Sequence, residues 1–436
     1  MSQKIVVAGA NVGGSVCAGD LAAMGFDVIL LERDLKRKKP CGGAIPPRAM
    51  TEFGVPEKII ERKVRRAVVL GPSGTRVEMD VRGTQERPEM DYIIMVTREV
   101  LDWTMRAKAQ EAGADLREAS FVSHEDQSDG RVNVKIRYRD GREETIAADA
   151  LVGADGAGSA VAKSCGRPAR KHASAIQERL MLPDDVMDYY VNRAELYLGD
   201  DISPDFYGWV FPKSDHVAVG TGTRPEHANR SYAYLEGVKA RAGDKLRGSK
   251  RILLEGHPLP MGRFKKFVYG RTLLVGDAAG LVANTSGEGI YFSMASGRMA
   301  AQTLHGFFGY QKTTLERYEK LWQKRYGNMF DFLEVLERFS YRANKNREFF
   351  VDMCDTEEVQ RLTFDSYLFK EMAKVSPAHH ARMAINGAKA AITNWTRPRS
   401  PIASEPPQIT AKEALAATRR AVASGAPIDD HHYASV

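Results

Sequence analysis

The sequence predicts an α/β protein: a Rossmann-like dinucleotide-binding domain, an inserted, mainly antiparallel β domain, and a C-terminal helical region. Three observations predict it. The stretch Lys4–Glu32 reads as strand, glycine-dense turn, Ala-rich helix and second strand, the context in which a GxGxxG pattern signifies dinucleotide binding. Two later apolar strands run into glycine turns of the same kind, at Gly153-Ala154-Asp155-Gly156 and Gly276-Asp277-Ala278-Ala279-Gly280. Between them, residues 168–265 become strand-rich and aromatic. The nucleotide domain is therefore expected to be discontinuous, assembled from 1–64, 93–167 and 266–312, with 65–92 and 168–265 forming the β domain. Residues 313–392 are expected to be helical, and 393–436 to be a mobile tail.

Bulk properties narrow the class. At 436 residues the chain exceeds one ordinary core, and its 43% hydrophobic and 27% charged content is that of a soluble globular protein. No run of about 18 apolar residues reads as a transmembrane helix. The first strand opens at Lys4, which leaves no room for a signal or transit peptide, so the chain as written reads as a cytoplasmic product or one already processed. Cys17, Cys41, Cys165 and Cys354 are scattered, without a CxxC pair or a Cys/His cluster, which argues against a disulfide scaffold or a metal site. A formal charge of +7 suits a phosphate-bearing ligand or an anionic membrane surface, and equally a solvated basic surface. Nothing points to nucleic acid.

Each element follows from local chemistry. In Gly9-Ala10-Asn11-Val12-Gly13-Gly14, Gly9 permits the tight turn and Gly14 lets helix and strand pack closely. Asn11 stands where the second glycine would let the backbone approach a pyrophosphate, and asparagine tolerates positive φ better than most residues. The helix that follows offers unpaired N–H groups and a partial positive charge. Glu32 ends the second strand near the interval (~20 residues) expected of a carboxylate that binds an adenosine ribose. A basic loop from Arg33 to Lys39 leads into Pro40–Pro47, where glycines and prolines exclude helix and central strand. Ala67–Leu70 and Arg76–Val81 form a hairpin about Pro72-Ser73-Gly74, and Val132–Ile136 forms another with the segment after Asp140-Gly141. Thr97 is the expected N-cap of a helix running to about Ala112. Strands are expected at Glu195–Gly199, Phe206–Phe211 and His216–Thr223, and a long helix at Gly287–His305. A short tail helix is expected at Ala411–Ala423, carrying Lys412, Arg419 and Arg420.

In this order, the fingerprint, Glu32, the Asp155-Gly156 turn and the Gly276-Asp277 turn resemble the FAD fold of aromatic hydroxylases and their relatives. That resemblance implies FAD, with Asp277 on its ribityl chain, Asp155-Gly156 shaping a turn near it, and Arg98 close by. Arg33, beside Glu32, is counted with the cofactor residues. It also implies that the helix opening Ser286-Gly287-Glu288-Gly289-Ile290 points its N-terminus at the flavin, where a partial positive charge stabilises the reduced ring.

A narrower set of stretches is similar to geranylgeranyl reductases of the chlorophyll and bacteriochlorophyll branch. It comprises Lys39–Pro46, the PxxYxWxFP run Pro204–Pro212 with Gly220-Thr221-Gly222, Val275–Tyr291 and Cys354–Leu368. The similarity implies substrate-binding roles for Gly42, Gly43, Ile45, Phe211, Pro212, Gly220 and Gly222, and catalytic roles for Cys41, Tyr207 and Trp209. Read from the residues alone, Tyr207, Trp209 and Phe211 share one side of a strand and are either pocket wall or ordinary sheet core. Cys41 is either a proton relay or an inert thiol. The implied reaction is FAD-dependent saturation of a geranylgeranyl chain to phytyl, free as the diphosphate or esterified to chlorophyllide or bacteriochlorophyllide. NADPH, or a reduced ferredoxin, would be the reductant. Implied partners are prenylated pigment, chlorophyll synthase or other pigment-biosynthesis proteins, and a photosynthetic membrane contacted peripherally. Two alternatives share these residues: a flavin monooxygenase acting on a lipid, and a flavin-poor carrier or scaffold of prenylated pigment, whose one support is Asn11.

Overall fold

The computed structural model describes residues 2–81, 89–168, 172–260, 262–310, 313–372 and 376–396. The helix expected at Ala411–Ala423 lies outside the described residues.

The apolar runs of the nucleotide domain form the centre of an eight-stranded sheet. Its order is Glu143–Ala148, Val132–Tyr138, Asp115–Asp126, Asp27–Glu32, Lys4–Ala8, Ala150–Gly153, Thr272–Leu274, Val268–Tyr269. The pairings from Asp115–Asp126 through Thr272–Leu274 are parallel, and antiparallel pairs flank them. Register matters more than order. Ala8 lies opposite both Leu31 and Gly153, and Gly153 opposite Leu274, so three strands end level. The turns that follow them therefore meet at the carboxyl edge of one sheet, where open α/β sheets bind ligands.

The β domain is a seven-stranded sheet in the order Lys250–Leu259, Ala173–Met181, Val217–Thr223, Ser203–Pro212, Arg193–Gly199, Arg66–Leu70, Arg76–Asp80. It is antiparallel except where Arg193–Gly199 runs beside Arg66–Leu70. A three-stranded sheet of Ala44–Ile45, Ile93–Met95 and Arg62–Val64 lies apart from both. Among the described residues beyond 312, five α-helices follow: Arg317–Trp322, Asn328–Ser340, Asn344–Cys354, Glu357–Leu368 and Pro377–Thr396. Val351, Cys354, Phe364 and Leu368 from these helices bury themselves with Phe206, Tyr207 and Trp209 of the β sheet in one apolar cluster. The expected fold class holds.

Two element boundaries need correcting, and one cap holds in position but not in bonding. The long helix spans Ile290–Tyr310 and not Gly287–His305, because Gly287 sits at φ +66°, a left-handed conformation no α-helix contains. Thr97 occupies the N-cap of Arg98–Glu111, but its side chain makes no capping bond, and its N–H donates to Glu61 at 2.5 Å. The last helix continues to Thr396, past position 393. Among the described residues no helix is long and apolar enough to cross a membrane.

Candidate active site

The carboxyl edge of the parallel sheet opens onto a cavity of about 800 Å³, toward the upper end of the ~300–1,000 Å³ common for small-molecule sites. Its first wall is the N-terminal turn, where Asn11 and Val12 face the space. Gly9 has φ +109°, and a Cβ there would stand 2.4 Å from the Ala154 carbonyl oxygen, so the turn requires glycine. Asn11 is different. Its φ of −78° is ordinary extended backbone, so the expected need for left-handed tolerance is absent. Its side chain does not cap the helix Val12–Ala23, which leaves that helix's first N–H groups free for an anion. Glu32 is buried, and its Oε2 accepts from Ala10 N at 3.1 Å. Arg106 braces the same turn, donating to the carbonyls of Ala10 at 2.8 Å and Leu35 at 3.0 Å.

The other two turns close the polar end. Asp155 accepts from Ser159 Oγ at 2.5 Å and from Ala160 and Val161 N–H, so it caps a short helix rather than facing the cavity, while Gly156 lines it. Asp277 pairs with Lys39 at 2.9 Å. Burial pushes this carboxyl up, but the cationic surroundings, Lys39 foremost and Arg98 among them, together hold it below its usual range. Arg98 lines the cavity and forks onto Asp102 at 2.8 and 3.1 Å. His257 lies here as well: burial, and then the Lys39 charge, press its imidazole well below its usual range, and its Nε2 has no hydrogen-bond partner.

An uncapped helix N-terminus, a buried ribose-type carboxylate and an open Gly156 turn, with nothing within 4 Å of where a Cβ would sit, fit FAD.

The middle of the cavity is the Cys41 loop against the aromatic strand. Tyr207, Trp209 and Phe211 line it in a row, with ring centroids 5.9 and 6.2 Å apart, and Phe206 stacks on Tyr207 at 4.6 Å. Gly220 and Gly222 do not line the cavity. A Cβ at Gly220 would come within 2.3 Å of Trp209, and one at Gly222 within 2.7 Å of Phe206. They make room for the rings from behind. Ile45 and Pro212 are buried outside the cavity wall and Arg33 is exposed, whereas Gly42 and Gly43 line it. The loop's position is set by Lys213, whose Nζ donates to Gly42 O at 2.7 Å, and by Gln177, which donates to Cys41 O at 3.1 Å. Burial pushes the Lys213 ammonium down to about 8. Cys41 Sγ accepts from Gly43 N at 3.3 Å, and Tyr207 OH donates to Ser286 O at 2.7 Å. The indole N–H of Trp209 is buried without a partner.

At the far wall Glu288 forms an ion pair with Lys370, both buried and both lining the cavity. Glu288 Oε1 has no hydrogen-bond partner. Burial raises this carboxyl and lowers the Lys370 ammonium. Lys370 has φ +54°, the one positive φ outside glycine among the described residues. Arg48, donating to Phe369 O and to Glu371 at 2.8 Å, straps this segment down. Beyond the pair the lining is apolar: Leu336, Phe350, Met353, Leu362 and Met383.

The structure thus brings together Asn11, Cys41, Gly42, Gly43, Arg98, Gly156, Tyr207, Trp209, Phe211, Asp277, Gly287, Gly289 and Ile290. Gly9, Gly14, Glu32, Asp155 and Gly276 stand behind them. Sequence reasoning missed Arg106, Lys213, His257 and the Glu288–Lys370 pair as a unit. Only Lys213, at the end of the PxxYxWxFP run, carried a local signal.

Comparison with known proteins agrees with this geometry. A family profile described as an FAD binding domain matches residues 2–198. The fold and site therefore define an FAD-binding oxidoreductase. Among curated relatives, the chloroplastic geranylgeranyl diphosphate reductase of Oryza sativa subsp. japonica is 42% identical over 397 residues, spanning 88% of this chain and 85% of that protein. The geranylgeranyl diphosphate reductase of Synechocystis sp. is 41% identical over 389 residues, spanning 86% and 95%. A geranylgeranyl bacteriochlorophyll reductase-like protein from Thermoplasma acidophilum shares the fold, with a TM-score of 0.73 at 23% identity over 85% of this chain and 97% of that one. The chain belongs to the geranylgeranyl diphosphate reductase family.

Proposed function

We propose that the protein reduces the isolated alkenes of a geranylgeranyl chain toward phytyl, with FAD as its cofactor and NADPH as the reductant. The observation that carries this reading is one continuous cavity, polar where the nucleotide turns meet and mainly aromatic to aliphatic beyond them, with the Glu288–Lys370 pair set into its far wall. A C20 isoprenoid has no polar group along its length, so a wall of Phe, Leu and Met is what binds it. Relatives bearing the reductase name at 41–42% identity support the same reaction. They do not favour oxygen chemistry or a flavin-poor carrier.

FAD, when bound and reduced, supplies hydride to the cavity. The helix N-terminus at Val12, with Glu32, Arg98, Gly156 and Asp277, is the set that would hold it. The chain's own residues then meet the remaining demand, which is charge. An isolated alkene gains a proton at one carbon and a hydride at the other, and positive character develops at the substituted carbon. The row Tyr207, Trp209 and Phe211 presents ring faces that stabilise such a charge while excluding water. Cys41, in the loop that Gln177 fixes at its own carbonyl and Lys213 at the Gly42 carbonyl, is the proposed proton relay. Exchange to Cys41→Ser should lower turnover at least about tenfold while FAD remains bound. A peripheral photosynthetic-membrane location, and contact with other pigment-biosynthesis proteins, belong to the same reading.

The deciding experiment is anaerobic incubation of the FAD-loaded protein with NADPH and geranylgeranyl diphosphate, followed by mass spectrometry. Products heavier by two hydrogens per turnover are expected. Unchanged substrate, or product formed only with oxygen and carrying its mass, would falsify the reading.

A further inference from the structure

The last described helix, Pro377–Thr396, meets the cavity on one face and carries an exposed apolar stripe on another. His380 and Met383 line the cavity. On another face Ala381, Ile385, Ala388, Ile392 and Trp395, at alternating spacings of four and three, are all exposed, Ile392 to 66% and Trp395 to 86%. Asn328–Ser340 likewise exposes Phe332, Val335 and Phe339, at 47%, 67% and 47%. Phe332 and Phe339, with exposed Met372, are also part of the cavity lining, so the cavity reaches the surface among these residues. The cavity thus opens among exposed apolar residues of Asn328–Ser340, and Pro377–Thr396 reaches the same cavity through Met383 while carrying its apolar stripe on another face.

Charge decides what covers them. The helix Pro377–Thr396 contains no Asp or Glu. Lys389 sits within its stripe, Lys345 lies 5.9 Å from the Trp395 ring, and Arg342 follows Phe339 by one turn. None of these three exposed cations has a carboxylate partner among the described residues, whereas the nearby acids Asp331, Glu334 and Glu358 are paired to Arg263, Arg338 and Arg382. A second copy docking through the same face would bring like charges together. An anionic bilayer meets all three features: acyl chains for the stripes, the interface for Trp395, and phosphates for the cations.

We infer that these two helices form a docking surface for an anionic lipid bilayer, with the cavity mouth facing the membrane so that an apolar chain passes between bilayer and cavity without crossing water. The inference deepens the peripheral location proposed with the prenyl-reductase reading, on which the passenger's identity rests, by assigning the surface that makes the contact.

The test is flotation of the full, FAD-loaded chain with phosphatidylcholine vesicles and with vesicles that also contain phosphatidylglycerol. Binding is expected to the anionic vesicles, weakened by salt, and weakened about fivefold by Lys389→Ala. The pair Ile392→Asp/Trp395→Asp, outside the cavity lining, should reduce binding at least about tenfold. It should leave FAD content and turnover of detergent-dispersed geranylgeranyl diphosphate unchanged. Val335→Asp probes the second helix independently, should either aspartate variant fail to retain FAD. Absence of wild-type flotation overturns the inference, and so does undiminished flotation of these variants. A dimer that the variants dissociate, without vesicle binding, assigns the surface to a second copy instead. If wild type floats and the variants do not, but no prenyl substrate is reduced, the surface stands and the reaction falls.

Discussion

Lys370→Met would remove the cation that, among the described residues, pairs with Glu288, in an ion pair where both partners are more than nine-tenths buried. Removing one member of such a pair leaves an uncompensated buried charge and typically costs ~3–5 kcal/mol. The environment here offers little relief, because Glu288 Oε1 has no partner even in the intact protein. The second substitution tells more than the first. Glu288→Leu/Lys370→Met replaces the pair with apolar groups and should recover most of the loss, since the pair repays its desolvation poorly. Urea unfolding at saturating FAD, followed by fluorescence and circular dichroism together, reads both values. The pH dependence adds a sign. Burial already raises the Glu288 carboxyl, and loss of Lys370 raises it further, so its folded pKa exceeds the unfolded value of 4.5. The native state then binds the extra proton, and the single variant should be most stable below that unfolded value and lose stability as pH rises through the folded one. A cost below about 1 kcal/mol without this slope would show that water reaches the pair, and would refute the account of a dry far wall.

Burial lowers Lys213 from 10.5 to about 8, so between those values the unfolded chain binds more protons and this group's contribution to stability should rise with pH; Lys213→Met should remove that contribution and flatten the pH dependence of urea midpoints. Asn11→Gly removes a side chain from the cavity at a position whose backbone is already relaxed, and should slow FAD loss on gel filtration. No change would mean that the turn already accommodates the asparagine. Gly222→Ala places a methyl 2.7 Å from the Phe206 ring and should destabilise by ~1–3 kcal/mol through overpacking, shifting the stacked pair with Tyr207.

The nucleotide half was legible because its chemistry is local. A turn that needs glycine at Gly9, or a strand ending in Gly276-Asp277, depends on backbone geometry within a few residues, and sequence records that directly. The same local logic placed the three strands around Tyr207–Phe211 and the two hairpins. It failed where an element's edge is set by a single φ, as at Gly287, or where a residue's apparent peculiarity was harmless, as at Asn11. Gly220 and Gly222 show a subtler failure. Their pattern marks the site truthfully, but their role is to admit Trp209 and Phe206 from behind.

What sequence did not show is convergence across long separations. His257 sits on an edge strand with unremarkable neighbours, and only the sheet carries it to Lys39 and Asp277. Lys370 follows a helix some eighty positions from Glu288, and nothing in either segment announces the other. Both cases share a physical cause. A charged group becomes costly, and therefore informative, only after tertiary packing has removed its water. The helical region, whose sequence carried the weakest functional signal, supplies the apolar walls, the Lys370 latch beside Glu288 and the exposed stripes at the mouth. The motifs specify a flavin fold that many chemistries share. The helices laid over it make the cavity one that suits a long, water-averse chain.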